Sequence, residues 1–310
     1  MSQWGIIGDG NWGMALARRL LKNGHEVIIA GLEKRKRGIP KGAQHSTELG
    51  TVLSAAERLI FAVPIGVFEH MLRDAAPHLR SDHRVVSTAR GLTPETHLRA
   101  TEAIRNMTAV RQIAVLAGAA DAEALARASP IALVVGTAFP SWSSEIQEAL
   151  GSRSLRVYAN QDLVGVELSN VAAAVVGVAL GVAHAMKVGP AAEATALTRA
   201  LAEMDRVVSG LGGLPGTANG LAGLGVLGEM IYDAQGASYR AGGALASEDL
   251  EAAVTYAEVR ESARTLSNRI GRERIRAPLV GAVEEMFGGK LTAKDALTNL
   301  MERPVGLENH

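Results

Sequence analysis

The chain has 310 residues, 47% of them apolar, which suits two cores better than one. Its 32 basic and 32 acidic residues cancel, so no global charge draws it to nucleic acid or to an anionic membrane. Cysteine is absent, which excludes disulfides, thiolate nucleophiles and thiolate metal sites.

The first apolar run, residues 4–8 (WGIIG), predicts a strand. No basic region or cleavage site precedes it, so no signal peptide is expected and a cytoplasmic location follows as the expectation. Further strand-like runs fall at 25–30 (HEVIIA), 58–63 (RLIFAV), 84–88 (RVVST), 113–118 (IAVLAG), 131–136 (IALVVG) and 155–159 (LRVYA). Helical patterns lie between several of them. Alternating β and α units predict an α/β fold whose N-terminal part is a Rossmann-like, mostly parallel sheet with helices on both faces.

The pattern changes near residue 160. A long apolar helix is predicted over 162–186, and a second from Gly189-Pro190 to the glycines near Gly210. Helical patterns also follow Gly223, Ser247 and Ala277, with no strand among them. The expected organisation is a dinucleotide-binding domain over 1–160 and an all-α substrate and dimerisation domain over 161–310. The longest apolar run, 171–183, is shorter than the roughly 18–20 residues that span a bilayer, so it reads as a buried helix. The tail from Glu302 is expected to be loose.

Gly8, Gly10 and Gly13 form G-x-G-x-x-G directly after a strand and at the head of a helix, with Asn11 and Trp12 inside the motif. The first glycine permits a tight turn, the second lets a pyrophosphate approach the backbone, and the third lets helix and strand pack closely. The unpaired N–H groups of the helix start favour phosphate. Phe61, Val63 and Pro64 end the third long strand, where they would wall the coenzyme. The second strand runs into Glu33, Lys34, Arg35, Lys36 and Arg37. Four basic groups suit the 2′-phosphate of NADP, whereas Glu33, about twenty residues past Gly13, suits the ribose of NAD. NADP is placed ahead of NAD on this stretch.

Five segments then combine in order: GDGNWGMALA at 8–17, FAVP at 61–64, STARGLTPET at 87–96, RVYANQDLVGVEL at 156–168 and TANGLAGLGVL at 217–227. Together they resemble NAD(P)-dependent glycerol-3-phosphate dehydrogenase over nearly the whole chain. The resemblance implies a coenzyme in the N-terminal half and a small-molecule substrate in a cleft between the two domains.

The resemblance also exposes departures. Where the family has a lysine before the glycine of the STARGL segment, this chain has Arg90. The family's Lys-Asn pair on the helix after GVEL falls at Ala173 and Ala174, and its aspartate in GLAGLG falls at Val226. Its phosphate-binding Arg-Asn pair falls at Tyr239 and Arg240, and a later glutamate falls at Val254. The family's GPSFA-like turn is altered to Gly118-Ala119-Ala120-Asp121-Ala122.

Hydride reduction of a carbonyl builds negative charge on oxygen, which a donor must stabilise and protonate. The resemblance assigns that work to the helix lysine, and alanine cannot perform it. Asn170 lies three residues before Ala173 and Glu229 three after Val226, so polar groups displaced by one turn are the replacement candidates. Arg90 is an orienting cation with a pKa too high for proton donation near neutrality. The candidate catalytic set is therefore Asn170, Glu229 and Arg90. Tyr232 and Tyr239 are further phenolic candidates, and His184 reads as a helix-end dipole partner. The scattered histidines show no ligand spacing, so no metal site is expected.

Three functions stay open: a divergent oxidoreductase for a small carbonyl or alcohol, the parent dehydrogenase with relocated donors, and a coenzyme-binding protein without catalysis. The expected partners are a small-molecule substrate, no nucleic acid and no membrane. Small residues at 171–183 and 218–228 favour close helix packing and a homodimer.

Overall fold

The computed structural model describes residues 2–31 and 38–302, in two compact units, Met1–Glu167 and Leu168–His310. The charged stretch from Glu33 to Arg37 and the tail after Glu302 lie outside the described residues.

The first unit contains strands β1 (Gln3–Ile7), β2 (Glu26–Ala30), β3 (Gln44–Ser46), β4 (Arg58–Phe61), β5 (Arg84–Ser87), β6 (Gln112–Ala117), β7 (Ile131–Gly136) and β8 (Leu155–Asn160). They form one sheet in the order β3-β2-β1-β4-β5-β6-β7-β8. All neighbours are parallel except β6 and β7, which pair antiparallel, so the expected mostly parallel sheet is present. Between them run α1 (Asn11–Lys22), α2 (Leu49–Ala55), α3 (Ile65–Ala75), α4 (Ala100–Met107), α5 (Ala122–Ala126) and α6 (Pro140–Leu150).

Side chains alternate across a strand, and here both faces are covered. Trp4 and Ile6 of β1 join Leu16 and Leu20 of α1 and Trp142 and Ile146 of α6 in one core. Ile7 joins Leu53, Phe68, Leu72 and Ile104, from α2, α3 and α4, in the other. Trp4 stacks on Trp142 with centroids 5.6 Å apart. The end of α1 is tied to the end of α6 by the Asn23 amide, which donates to the carbonyls of Ala149 at 2.8 Å and Gly151 at 2.9 Å.

The second unit takes most of α7 (Leu163–Ala185), followed by α8 (Pro190–Gly210), α9 (Val226–Tyr232), α10 (Ala237–Ala246), α11 (Leu250–Val254), α12 (Ala257–Arg272), α13 (Pro278–Phe287) and α14 (Ala293–Met301). No strand occurs there among the described residues. The whole of α7 is longer than its apolar run: it has 23 residues, its most apolar 18 have a mean hydropathy of 2.0, and it is long and apolar enough to cross a membrane. Instead 89% of its most apolar window is buried within the protein. Glycines let neighbours approach it. A Cβ on Gly181 would strike the Tyr239 carbonyl, and one on Gly242 would strike the Val178 carbonyl. The small residues of α7 are thus used in packing within the chain. Glu203 of α8, 3% exposed, accepts the N–H groups of Leu279 at 3.0 Å and Val280 at 2.9 Å and so caps α13.

His83 provides a pH-sensitive joint in the first unit. Its ring is fully buried, Nδ1 accepts the Arg80 N–H at 2.8 Å, and Nε2–H donates to Leu53 O at 2.9 Å. Burial pushes its pKa below 6.5. A histidine depressed in the folded state contributes stability that is complete above the unfolded pKa and is lost as pH falls through it. The unfolded chain then binds a proton that the folded chain excludes. We expect the urea midpoint to fall between about pH 7.5 and about pH 5.5 by more in the wild type than in His83→Gln, with an upper limit of about 1.4 kcal/mol per pH unit. Equal pH slopes for the two proteins would refute the assignment.

Candidate functional site

The strand order reverses between β1 and β4, and in open parallel sheets ligands bind outside the carboxyl ends of the strands at such a reversal. The register pairs Ile7 with Phe61 and Phe61 with Ser87, so Gly8, Ala62 and Thr88 leave the sheet side by side. Backbone bonds hold this edge: Gly8 N–H to Ala30 O at 2.9 Å, Ala62 N–H to Ile7 O at 2.8 Å and Thr88 N–H to Phe61 O at 3.0 Å.

Each glycine of the motif has a separate physical reason. Gly8 sits at φ +115°, and a Cβ there would strike Ala62 O. A Cβ on Gly13 would run into Gly8 O, so the third glycine lets α1 press against the turn. Gly10 has ordinary extended torsions (φ −69°, ψ 174°), and a Cβ there would meet nothing within 4 Å. Open space over Gly10 fits a pyrophosphate approaching the backbone. The helix start adds to this, because α1 has no side-chain cap and no acidic residue in its first turn. Its orphan N–H groups and positive dipole end are left for an anion. Asn11 is exposed and Trp12 half-buried at this end. The residues present fit a dinucleotide.

The second wall is divided. Phe61 is fully buried, its ring 6.1 Å from Phe68 in the helix-side core, so its side chain packs the sheet rather than facing the edge. Val63 is half-buried and Pro64 exposed, and Pro64 precedes α3, whose first turn also lacks an acid and a side-chain cap.

Arg90 is exposed, three residues past the end of β5, followed by Gly91 at φ +118°. The loop beyond it is pinned by two carboxylates that the sequence reading missed. Glu69 of α3, 4% exposed, accepts the Thr96 hydroxyl at 2.5 Å. Glu167, 1% exposed, accepts Arg99 Nη1 at 3.0 Å, the Thr101 N–H at 3.0 Å and the Thr101 hydroxyl. The signal for Glu167 was a lone acid in the apolar stretch LVGVEL; a buried carboxylate in such a run needs partners.

In the second unit Ala173, Ala174 and Val226 are 0%, 3% and 0% exposed, packed as core. Asn170 is 4% exposed, and its Oδ1 has no hydrogen-bond partner; Ser169, fully buried beside it, has none for Oγ. Buried polar atoms are rarely left so, since each costs about 1–3 kcal/mol. Glu229 is half-buried on α9, which follows a π-helical turn at Leu221–Gly225. Its neighbour Met230 packs on Gly177, seven residues past Asn170 and about 10 Å further along α7. Tyr232 is 93% exposed. Tyr239 is buried, its ring 5.4 Å from that of His184, and burial followed by the Glu193 charge pushes its phenol above 10. His184 lies 3.4 Å from Glu193. A wholly apolar pocket between α7, α8, α13 and α14, lined by Val182, Met186, Leu279 and Leu300 among others, offers no polar group for chemistry. No cluster of metal-ligating side chains occurs among the described residues.

Lysine is distributed unevenly. Between Lys41 and Lys187 the sequence has none, and Lys187 lies in the turn beyond the end of α7 at Ala185. α7 itself carries no lysine.

The site's geometry separates folding from binding. We expect Gly10→Ala to keep its stability within about 0.5 kcal/mol of wild type while weakening coenzyme binding about ten-fold or more. Gly13→Ala should lose both, because its Cβ meets backbone. Thermal melts and calorimetric titration with NADH and NADPH distinguish these outcomes. Undiminished binding by Gly10→Ala would remove the pyrophosphate from this turn.

Comparison with known proteins agrees with this layout. Residues 3–142 match the model of the NAD-dependent glycerol-3-phosphate dehydrogenase N-terminus, and residues 162–298 match the model of its C-terminus. A glycerol-3-phosphate dehydrogenase [NAD(P)+] of Sodalis glossinidius is 34% identical over 76% of this chain and 75% of its own length. One from Alkalilimnicola ehrlichii is 31% identical over 97% of both chains. The crystal structure of glycerol-3-phosphate dehydrogenase from Coxiella burnetii superposes with a TM-score of 0.89 at 26% identity, covering 97% of this chain and 99% of that one.

Proposed function

This chain belongs to the NAD-dependent glycerol-3-phosphate dehydrogenase family, and we propose that within it the chain is a divergent NAD(P)-dependent oxidoreductase, cytoplasmic, acting on a small carbonyl or alcohol compound that need not be glycerol 3-phosphate. The observation that carries the reading is the complete cradle: two glycines that admit no Cβ, a third facing open space, and a helix start without an acid. Gly8, Gly10, Asn11, Trp12 and Gly13 would hold the pyrophosphate, with Val63 and Pro64 beside it. When bound, the coenzyme supplies the hydride donor or acceptor.

The chain's own residues must then manage charge at the substrate oxygen. With Ala173, Ala174 and Val226 buried and apolar, no ammonium–carboxylate pair is available at those positions. Arg90 supplies a permanent cation that hydrogen-bonds an oxyanion but does not give up a proton near neutrality. Asn170 supplies an amide whose Oδ1 lacks a partner, one turn before Ala173, and is suited to a substrate hydroxyl or N–H. Glu229 is the acid best placed by sequence to exchange the proton. Each of these roles is our assignment. A homodimer also belongs to this reading, though the small residues of α7 serve packing within one chain.

The test is turnover across ketones, aldehydes and imines, dihydroxyacetone phosphate included, followed by absorbance of NADH and NADPH. We expect oxidation with at least one class, and Asn170→Ala to lower kcat/KM about 10²-fold or more with coenzyme affinity unchanged. No turnover on the whole panel by protein that still binds coenzyme would end the reading. Efficient turnover of dihydroxyacetone phosphate would instead restore the parent reaction with displaced donors. Light scattering should give twice the 32.4 kDa chain mass; a persistent monomer at micromolar concentration would remove the dimer.

A further inference from the structure

The cradle leaves two polar side chains without a role. Asp9 lies between the first two glycines of the motif, and its carboxylate turns toward β2. A Cβ on Gly31, the first residue past β2, would lie 2.5 Å from Asp9 Oδ2 and 2.7 Å from His45 Nε2. His45 stands on β3, its Nε2 4.0 Å from that Oδ2, and both side chains are 15% exposed. Gly31 N–H donates to Ser46 O at 3.1 Å, so the β2–β3 ladder continues to this point. The glycine turn, β2 and β3 therefore bring a carboxylate and an imidazole to one place, over a residue that has no side chain.

That place has a defined chemical task in doubly wound folds. At the carboxyl end of the second strand an acid accepts a hydrogen bond from the ribose 2′-hydroxyl of NAD(H), and the same acid repels the 2′-phosphate of NADP(H). Such an acid ordinarily comes from the strand end itself. Here the strand end is Ala30-Gly31, and the carboxylate at that edge comes from the turn. Gly31 is what makes room for it.

We propose that Asp9, positioned by His45, is the residue that discriminates at the ribose 2′ position, working against NADP(H). The inference rests on the coenzyme reading of the cradle. His45 acts through Asp9: its imidazole stands 4.0 Å from the carboxylate, beyond hydrogen-bond distance, and limits where the carboxylate can turn.

Calorimetric titration of NADH and NADPH into wild type, Asp9→Asn, Gly31→Ala, His45→Gln, Glu33→Gln and the Asp9→Asn/His45→Gln double variant tests it, with a thermal melt for each. Asp9→Asn should raise the NADPH-to-NADH affinity ratio about ten-fold or more, an effect that shrinks with added salt. Gly31→Ala, whose methyl group displaces both side chains, should move the ratio the same way and serves should Asp9→Asn fold poorly. His45→Gln should shift the ratio alone but not in the Asp9→Asn background, a coupling that a merely structural role would not produce. A ratio within two-fold of wild type in both Asp9→Asn and Gly31→Ala overturns the proposal, as does a shift confined to Glu33→Gln. Wild type that binds neither coenzyme sinks the cradle reading itself, and so fails in a different way from a wild type that binds both with ratios indifferent to Asp9.

Discussion

Backbone meets backbone where β1 turns into α1, and the arrangement of the first unit depends on that approach. Gly13 rests against the carbonyl of Gly8, and Gly8 rests against the carbonyl of Ala62 beyond β4. A single methyl at either position would push the helix off the sheet or part the two central strands. Because neither carries one, the starts of α1 and α3 flank the same edge, both without an acidic first turn. The hydrogen bonds from Gly8 to Ala30 and from Ala62 to Ile7 then fix the edge across three strands. The ligand-binding character of the site is a consequence of this packing, since the N–H groups brought there have no partner within their own helix.

The second unit applies the same device to helices. Gly181 and Gly242 bring α10 against α7 at backbone distance, Gly177 makes room for the Met230 side chain of α9, and the surrounding side chains are almost wholly apolar. Ala173, Ala174 and Val226 are part of that apolar packing. A buried lysine would need a carboxylate beside it, whereas alanine and valine need no such partner. Ser169 and Asn170 are the exceptions, two adjacent polar side chains facing no partner in a helix otherwise sealed by methyl groups.

Most strands were legible because a sheet buried on both faces needs continuous apolar runs, and residues 131–136 became β7 without adjustment. β3 was not foreseen: Gln44, His45 and Ser46 form a three-residue polar edge strand with no apolar pattern to betray it. The antiparallel pairing of β7 with β6 was equally hidden, since strand direction depends on how α5 crosses and not on the strand's composition. In the helical half, α7 and α8 were evident from apolar length and from Gly189-Pro190, whereas the helices from α10 to α14 follow one another across short turns of five residues or fewer. The glycines of the cradle were readable because each has a steric reason. Phe61 was read as a coenzyme wall, but its place at the strand end sends the ring into the core. Glu69 and Glu203 have no sequence signature beyond being acids, because what defines them is the donor that folding brings from another element.

The burial of α7 has a consequence for how the protein is made. This helix leaves the ribosome more than a hundred residues before α13 and α14, which help to cover it. At about 5–20 residues per second, synthesis leaves a 23-residue greasy rod uncovered for several seconds, resembling to any passing targeting factor the start of a membrane protein. The nascent chain therefore depends on prompt docking of α8 and α9, or on a chaperone's grip, to keep that segment from the wrong destination.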